Sequence, residues 1–165
     1  MRIFDSRFKQ ITLILLFAVA SAHSQTCLPR FQDFPVKEPY RGTPAQVQLV
    51  SKEARMFRTV LRGGAKKGPN FAGHYTIVGW RSGSSCDKFA AVDAQTGEVY
   101  FPDFPLYYVP YDPSETESGI MKQYPKGYRI GSRLLVTQGS FKGRGIFFYK
   151  WEKNRFTLIR SEGED

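Results

Sequence analysis

The chain has 165 residues, with 24 Lys and Arg against 15 Asp and Glu for a formal net charge of +9. That length suits one ordinary domain with a single real core. The chain holds two histidines and two cysteines, scattered singly as His23, Cys27, His74 and Cys86, so the spaced cluster that a His/Cys zinc site needs is not there.

The first predicted element is a leader. Arg2, Arg7 and Lys9 against the single Asp5 make a positive start, and Ile11 to Ala20 is an apolar run broken only by Thr12. Ala20-Ser21-Ala22 then supplies the small-x-small pattern that signal peptidase accepts, with Ala22-His23-Ser24 as a second exit. Residues 1–24 therefore read as a signal peptide and residues 25–165 as a single globular α+β domain. The apolar run falls short of the roughly 20 residues a membrane-spanning helix needs, so a retained anchor is the weaker reading and no membrane span is expected after processing. Ser24-Gln25-Thr26 lacks both the aliphatic and the small residue that lipid attachment at Cys27 would want, so Cys27 is read as a cysteine of the soluble domain.

Loss of the leader leaves 21 basic against 14 acidic residues, a net charge of +7. The charge is unevenly placed. Eight bases and two acids lie between Lys37 and Lys67, seven acids and only Lys88 between Asp87 and Glu117, and ten bases with Glu152 between Lys122 and Arg160. Such blocks either steer a charged partner or neutralise one another after folding. Export disfavours nucleic acid as the partner and leaves wall polymers, anionic polysaccharide and acidic proteins. In an oxidising compartment Cys27 and Cys86 are expected to pair. Closing that long loop would stabilise the fold by roughly 4 kcal/mol in the chain-entropy model.

Residues 28–42 are Pro-rich and irregular. A helix is expected next: Thr43 as N-cap, Pro44 in the first helical position and Gln46 completing a capping box. Val47, Val50, Ala54, Phe57 and Leu61 recur at steps of three and four as one apolar stripe. Gly63-Gly64 is the expected stop, and the opposite face carries Lys52, Arg55, Arg58 and Arg62.

The remainder reads as strands: Phe71 to Trp80, then a hairpin of Phe89–Ala94 with Glu98–Phe101 around Gln95-Thr96-Gly97, where Gly97 suits a positive φ. Arg133–Gln138 and Gly145–Glu152 form a second pair, and Arg155–Arg160 returns after Lys153-Asn154. The expected fold is α+β, one N-terminal helix packed on an antiparallel meander of five to six strands, with a small β-barrel as the alternative. Between Pro102 and Gly127 five prolines and four tyrosines interrupt this pattern. Long loops of this kind are often functional. Their tyrosines, Tyr107, Tyr108 and Tyr111 among them, either present flat faces to a ligand or pack down over the sheet.

No specific catalytic signature is present. Gly139-Ser140-Phe141-Lys142-Gly143 has its serine one place early for a nucleophile elbow, and residues 62–68 lack the closing K-[ST] of a phosphate loop. His74 is the one catalytic candidate. Strand alternation would put it on one side with Thr76, Val78 and Trp80, with Asp87 or Asp93 as orienting acids for a general base. The competing reading is a histidine that hydrogen-bonds locally.

The stretch Gly68-Pro69-Asn70-Phe71-Ala72-Gly73-His74-Tyr75 resembles a family of uncharacterised exported bacterial proteins that share a G-P-N-F-A-G-H-Y segment. The likeness continues through a glycine loop ending in Cys86, the D-x-x-T-G hairpin Asp93–Gly97, the S-R-L-L segment Ser132–Leu135 and the aromatic strand ending near Trp151. Relatives read G-C-G-x-x-C where this chain has Ser82, which leaves Cys86 to pair with Cys27. The resemblance implies a bacterial exported protein of related fold and carries no activity with it.

The functional expectation is an envelope binding protein that recognises a protein or an anionic wall polymer, as an inhibitor or immunity factor, without cofactor or metal. Its candidate binding residues are Asn70, His74, Trp80, Tyr107, Tyr108 and Tyr111. The alternatives are an envelope hydrolase or lyase using His74, and an accessory subunit with an exposed apolar patch around Trp80. The site of action is the periplasm or the medium; oligomeric state is left open.

Overall fold

The computed structural model describes residues 27–81, 87–104, 124, 127–140 and 144–163. Residues 1–24, read from the sequence as a leader, and Tyr107, Tyr108 and Tyr111 lie outside them. Among the described residues no helix is long and apolar enough to cross a membrane.

The helix begins later than its capping pattern predicts. Residues 43–50 form no regular element, and the expected helix is confined to α1 (Lys52–Met56) and α2 (Arg58–Ala65), joined at Phe57; a short 3-10 turn, Phe31–Asp33, precedes them. The actual cap is Ser51, whose Oγ accepts the Ala54 N–H at 2.9 Å. Long-range bonds decide against Thr43. The Ala45 N–H donates to the Ala94 carbonyl (2.8 Å) and the Gln48 N–H to the Gly97 carbonyl (2.7 Å), tying this segment to a turn almost fifty residues away. Val50, placed on the buried stripe by periodicity, is 75% exposed. Val47, Ala54 and Leu61 do enter the core, with Phe57 packed against them. Gly63-Gly64 does not end the helix: both lie inside α2. Gly64 instead permits close approach, since a methyl there would lie 2.5 Å from Val78 Cγ1.

Among the described residues six strands follow, in two three-stranded antiparallel sheets rather than one meander or a closed barrel. The first has the order β1 (Tyr75–Arg81), β2 (Asp87–Asp93), β3 (Val99–Tyr100); the second has β4 (Leu134–Ser140), β5 (Arg144–Glu152), β6 (Arg155–Gly163). Register runs from Tyr75↔Asp93 to Arg81↔Asp87 in the first sheet and from Leu134↔Lys150 to Ser140↔Arg144 in the second. A bulge interrupts β5–β6 at Phe148/Tyr149.

Burial explains the split. Strands β1, β2, β4 and β5 are apolar on both faces, so each face needs a cover. Tyr75, Ile77, Phe89 and Ala91 of the first sheet meet Leu135, Tyr149, Trp151 and Phe156 of the second, with Phe71 completely buried among them. The outer face of the first sheet, Val78, Ala90 and Val92, lies under Ala54, Leu61 and Ala65. The outer face of the second, Leu134, Val136, Ile146 and Phe148, lies under Phe31, Leu28, Phe34 and Tyr124. One sheet with one helix would leave many of these side chains wet, at a cost of about 1.5–3 kcal/mol for each large one.

Ser132 stitches the layers together. Its Oγ donates to the Phe31 carbonyl (2.7 Å) and accepts the Leu134 N–H (3.1 Å). Its own carbonyl accepts the Ala72 N–H at 3.1 Å, while the Gly73 N–H donates to Ile130 (2.7 Å) and the Arg133 N–H to Phe34 (2.8 Å). The N-terminal strap, the turn before β1 and the entry to β4 are thus joined at one residue that is only 2% exposed.

Candidate functional site

His74 lies in a turn before β1 rather than in a strand. Ala72 (φ 45°) and Gly73 (φ 87°) bend the chain through the left-handed region, and an isolated bridge between Phe71 and Tyr75 closes the turn. The His74 carbonyl accepts the Ala94 N–H at 2.7 Å, which holds the turn beside the end of β2. There the imidazole Nε2 is 3.7 Å from Asp93 Oδ2, ion-pair range for a protonated ring, with 34% of the histidine side chain exposed against 9% of the aspartate's. Asp93 is itself fixed, since its Oδ1 accepts the N–H of Gln95 (2.7 Å) and of Thr96 (3.4 Å). The imidazole lies over the Tyr75 ring, centroids 4.2 Å apart.

Of the two acids expected near His74, Asp93 is the neighbour. Asp87 sits at the far end of the β1–β2 ladder, opposite Arg81. The supposed side-mates of His74 are otherwise engaged. The Thr76 hydroxyl donates to the Gly68 carbonyl (3.0 Å), and Val78 and Trp80 face the helices.

A chain of polar groups extends from Tyr75. Its hydroxyl donates to Asn154 Oδ1 (2.7 Å), Asn154 Nδ2 donates to the Tyr100 hydroxyl (3.0 Å), and the Tyr100 hydroxyl donates to Glu98 Oε2. Asn154 reaches this position because Lys153 (φ 50°) and Asn154 (φ 59°) form the two-residue turn between β5 and β6, whose positive φ values match strand twist. Trp151 packs edge-on against the rings of Tyr75 (4.9 Å) and Tyr100 (5.8 Å). Burial pushes the Tyr75 phenol above its ordinary value, and burial followed by the bond to Glu98 pushes Tyr100 far above it.

The other candidates divide. Asn70 is spent on structure: its Oδ1 accepts the Ile77 N–H (2.8 Å) and its Nδ2 donates to the Ile77 carbonyl (3.2 Å), so its amide stands where a neighbouring strand would pair with β1. Trp80 packs on Phe57 (4.6 Å between ring centroids) and Phe101 (6.4 Å), its indole nitrogen buried without a partner among the described residues. The face around Trp80 is covered by α1 and α2. Cys27 is exposed and carries no disulfide, while Cys86 lies outside the described residues. Among the described residues no three His, Cys, Asp or Glu side chains are grouped to hold a metal.

Segments distant in sequence converge here. The turn through His74 meets Asp93–Gly97 on one side and Ser132 on the other, and Tyr75 meets Trp151 and Asn154. Sequence reasoning missed Glu98, Tyr100 and Asn154; the one available signal was Lys153-Asn154, a two-residue loop between alternating runs. Compared with protein-family models, curated proteins and solved structures, the chain matches none.

Proposed function

We propose that the processed chain is a binding protein of the bacterial envelope, recognising a protein or an anionic wall polymer through the surface around His74, Glu98, Tyr100 and Asn154. The observation that carries this reading is the hydrogen-bonded chain Tyr75–Asn154–Tyr100–Glu98 beside the His74–Asp93 pair. Its donors and acceptors are oriented by one another before any ligand arrives, and such preorganisation lowers the cost of recognition. The hydroxyls serve as fixed hydrogen-bond groups, since their protons are committed to Asn154 and Glu98.

The test is capture from periplasmic extract, together with binding to isolated peptidoglycan and anionic polysaccharide, by the wild type and by His74→Ala and Tyr100→Phe. A partner retained by the wild type and lost in both variants is expected. Failure to retain any partner, or retention equal in all three proteins, overturns the reading. In the same compartment the exposed Cys27 is available to Cys86, and thiol titration of the mature protein before and after reduction checks that bond.

The His74–Asp93 contact also favours a second reading, an envelope hydrolase or lyase with His74 as general base and Asp93 orienting it. Release of soluble fragments from wall material by the wild type, abolished in His74→Ala, would select it over binding.

A further inference from the structure

We infer that the outer face of α1–α2 docks on an anionic phospholipid surface, a second contact separate from the one at His74. Lys52, Arg55, Arg58, Arg62, Lys66 and Lys67 are all exposed, and the only acid between residues 41 and 81 is the half-buried Glu53. Lys88 adds its charge beside this face, its Nζ 5.5 Å from the centre of the Phe57 ring. Soluble surfaces ordinarily intersperse the two signs; this one is nearly all positive.

The apolar side chains here decide what kind of anion fits. Val50 and Met56, at 75% and 64% exposed, are the most exposed large hydrophobic residues of the described chain, and they flank α1 at its start and end. A soluble polyanion would satisfy the bases and leave Val50 and Met56 in water. A lipid surface meets both demands, with phosphate headgroups for the bases and the acyl boundary for the two side chains. The helices lie flat to present this face because their opposite side, Ala54, Leu61 and Ala65, is fixed to the first sheet. The protein would thus sit on the membrane as a peripheral domain, with no span crossing it.

Co-sedimentation of the mature protein with vesicles tests this, comparing phosphatidylglycerol mixed with phosphatidylcholine against phosphatidylcholine alone. Binding is expected only to the anionic vesicles, weakening as salt rises. Each base near the surface contributes about fivefold to partitioning, so Arg58→Gln combined with Arg62→Gln should weaken binding about thirtyfold. Met56→Ser should weaken it about tenfold by withdrawing one buried apolar side chain. Lys153→Gln, a charge removed at the β5–β6 turn, should leave binding unchanged, and far-UV spectra establish that every variant is folded. The inference is overturned if the wild type ignores anionic vesicles, or if Lys153→Gln weakens binding as much as a base removed from the face. It is likewise overturned if Met56→Ser has no effect while soluble polyphosphate competes fully, which would make the face a polyanion site.

Discussion

The outer face of the first sheet is covered by α1 and α2, whereas the outer face of the second is covered by a strap, residues 28–36, irregular apart from the 3-10 turn Phe31–Asp33, with Tyr124 beside it. Helices α1 and α2 close hydrogen bonds within themselves, and apolar side chains do most to hold them down on the sheet. The strap closes only one short turn of its own, with the Asp33 N–H on the Arg30 carbonyl and the Phe34 N–H on the Phe31 carbonyl, and must find its other partners in what it covers. Here the Phe34 carbonyl takes the Arg133 N–H, the Phe31 carbonyl takes the Ser132 hydroxyl and the Pro29 carbonyl takes the Tyr124 hydroxyl at 2.7 Å. The Arg129 guanidinium also lies 4.5 Å from the centre of the Phe31 ring. Thus the helical cover is held by shape and the strap by specific polar bonds. Their failure under mutation should differ accordingly.

The largest effect is expected where the difference vanishes, in the layer the two sheets share. Phe71→Ala removes a completely buried ring from between them and should cost about 4 kcal/mol, with a single cooperative transition in urea. Two separate transitions would mean that the sheets are independent units.

Ser132→Ala tests the strap. It removes one donor and one acceptor inside the protein and should cost about 2 kcal/mol. Hydrogen exchange should quicken at Asp33, Phe34 and Val36 while α2 keeps its protection; equal loss in both covers would erase the distinction.

A smaller effect tests shape on the helical side. Gly64→Ala raises helix propensity by about 1 kcal/mol yet drives a methyl against Val78, so a net loss of about 1 kcal/mol is expected. Pairing it with Val78→Ala relieves the overlap, and the double mutant should be more stable than the sum of the single effects predicts.

The smallest effect at neutral pH concerns the tyrosines, which serve both halves. Tyr75, Tyr100, Tyr128 and Tyr149 belong to the shared layer or its margin and Tyr124 to the strap, and burial raises all five phenols, Tyr149 to about 12. A raised phenol favours the protonated folded form. Its contribution is therefore complete below the ordinary value near 10 and is lost as pH climbs past it toward the folded value. Melting temperature should hold steady to about pH 9 and fall between about pH 10 and 12, in step with tyrosinate absorbance.

Much of this was legible where the signal is local. The strand runs lie close to their expected positions, and Gly97 has the positive φ (82°) its place in the hairpin suggested. Residues 43–50 depart from the expected helix because Thr43-Pro44-Ala45-Gln46 satisfies the local helix-start rules, while the bonds to Ala94 and Gly97 that hold it out of a helix leave no trace nearby. The two-sheet arrangement did leave a trace. Phe89-Ala90-Ala91-Val92, Leu134-Leu135-Val136 and Phe147-Phe148-Tyr149 are continuous apolar runs, and a strand facing water on one side would alternate. At the site, Asp93 was within reach of sequence reasoning as an acid on the hairpin. Tyr100 and Asn154 were not, because they meet across 54 residues and the meeting depends on how the second sheet stacks on the first.

The strap also has a consequence for how the chain comes to be folded. Its anchors lie far along the sequence: Ser132 is 101 residues beyond Phe31, and Tyr124 is 95 beyond Pro29. Contacts of such separation slow folding, because the loop between them must close before anything is gained. Synthesis delivers the strap first and its anchors last, so Leu28, Phe31 and Phe34 wait uncovered until β4 and β5 exist. A nascent or C-terminally truncated chain therefore carries an apolar N-terminal end with nothing to dock on, and it stays open to chaperones and proteases until the last sheet closes.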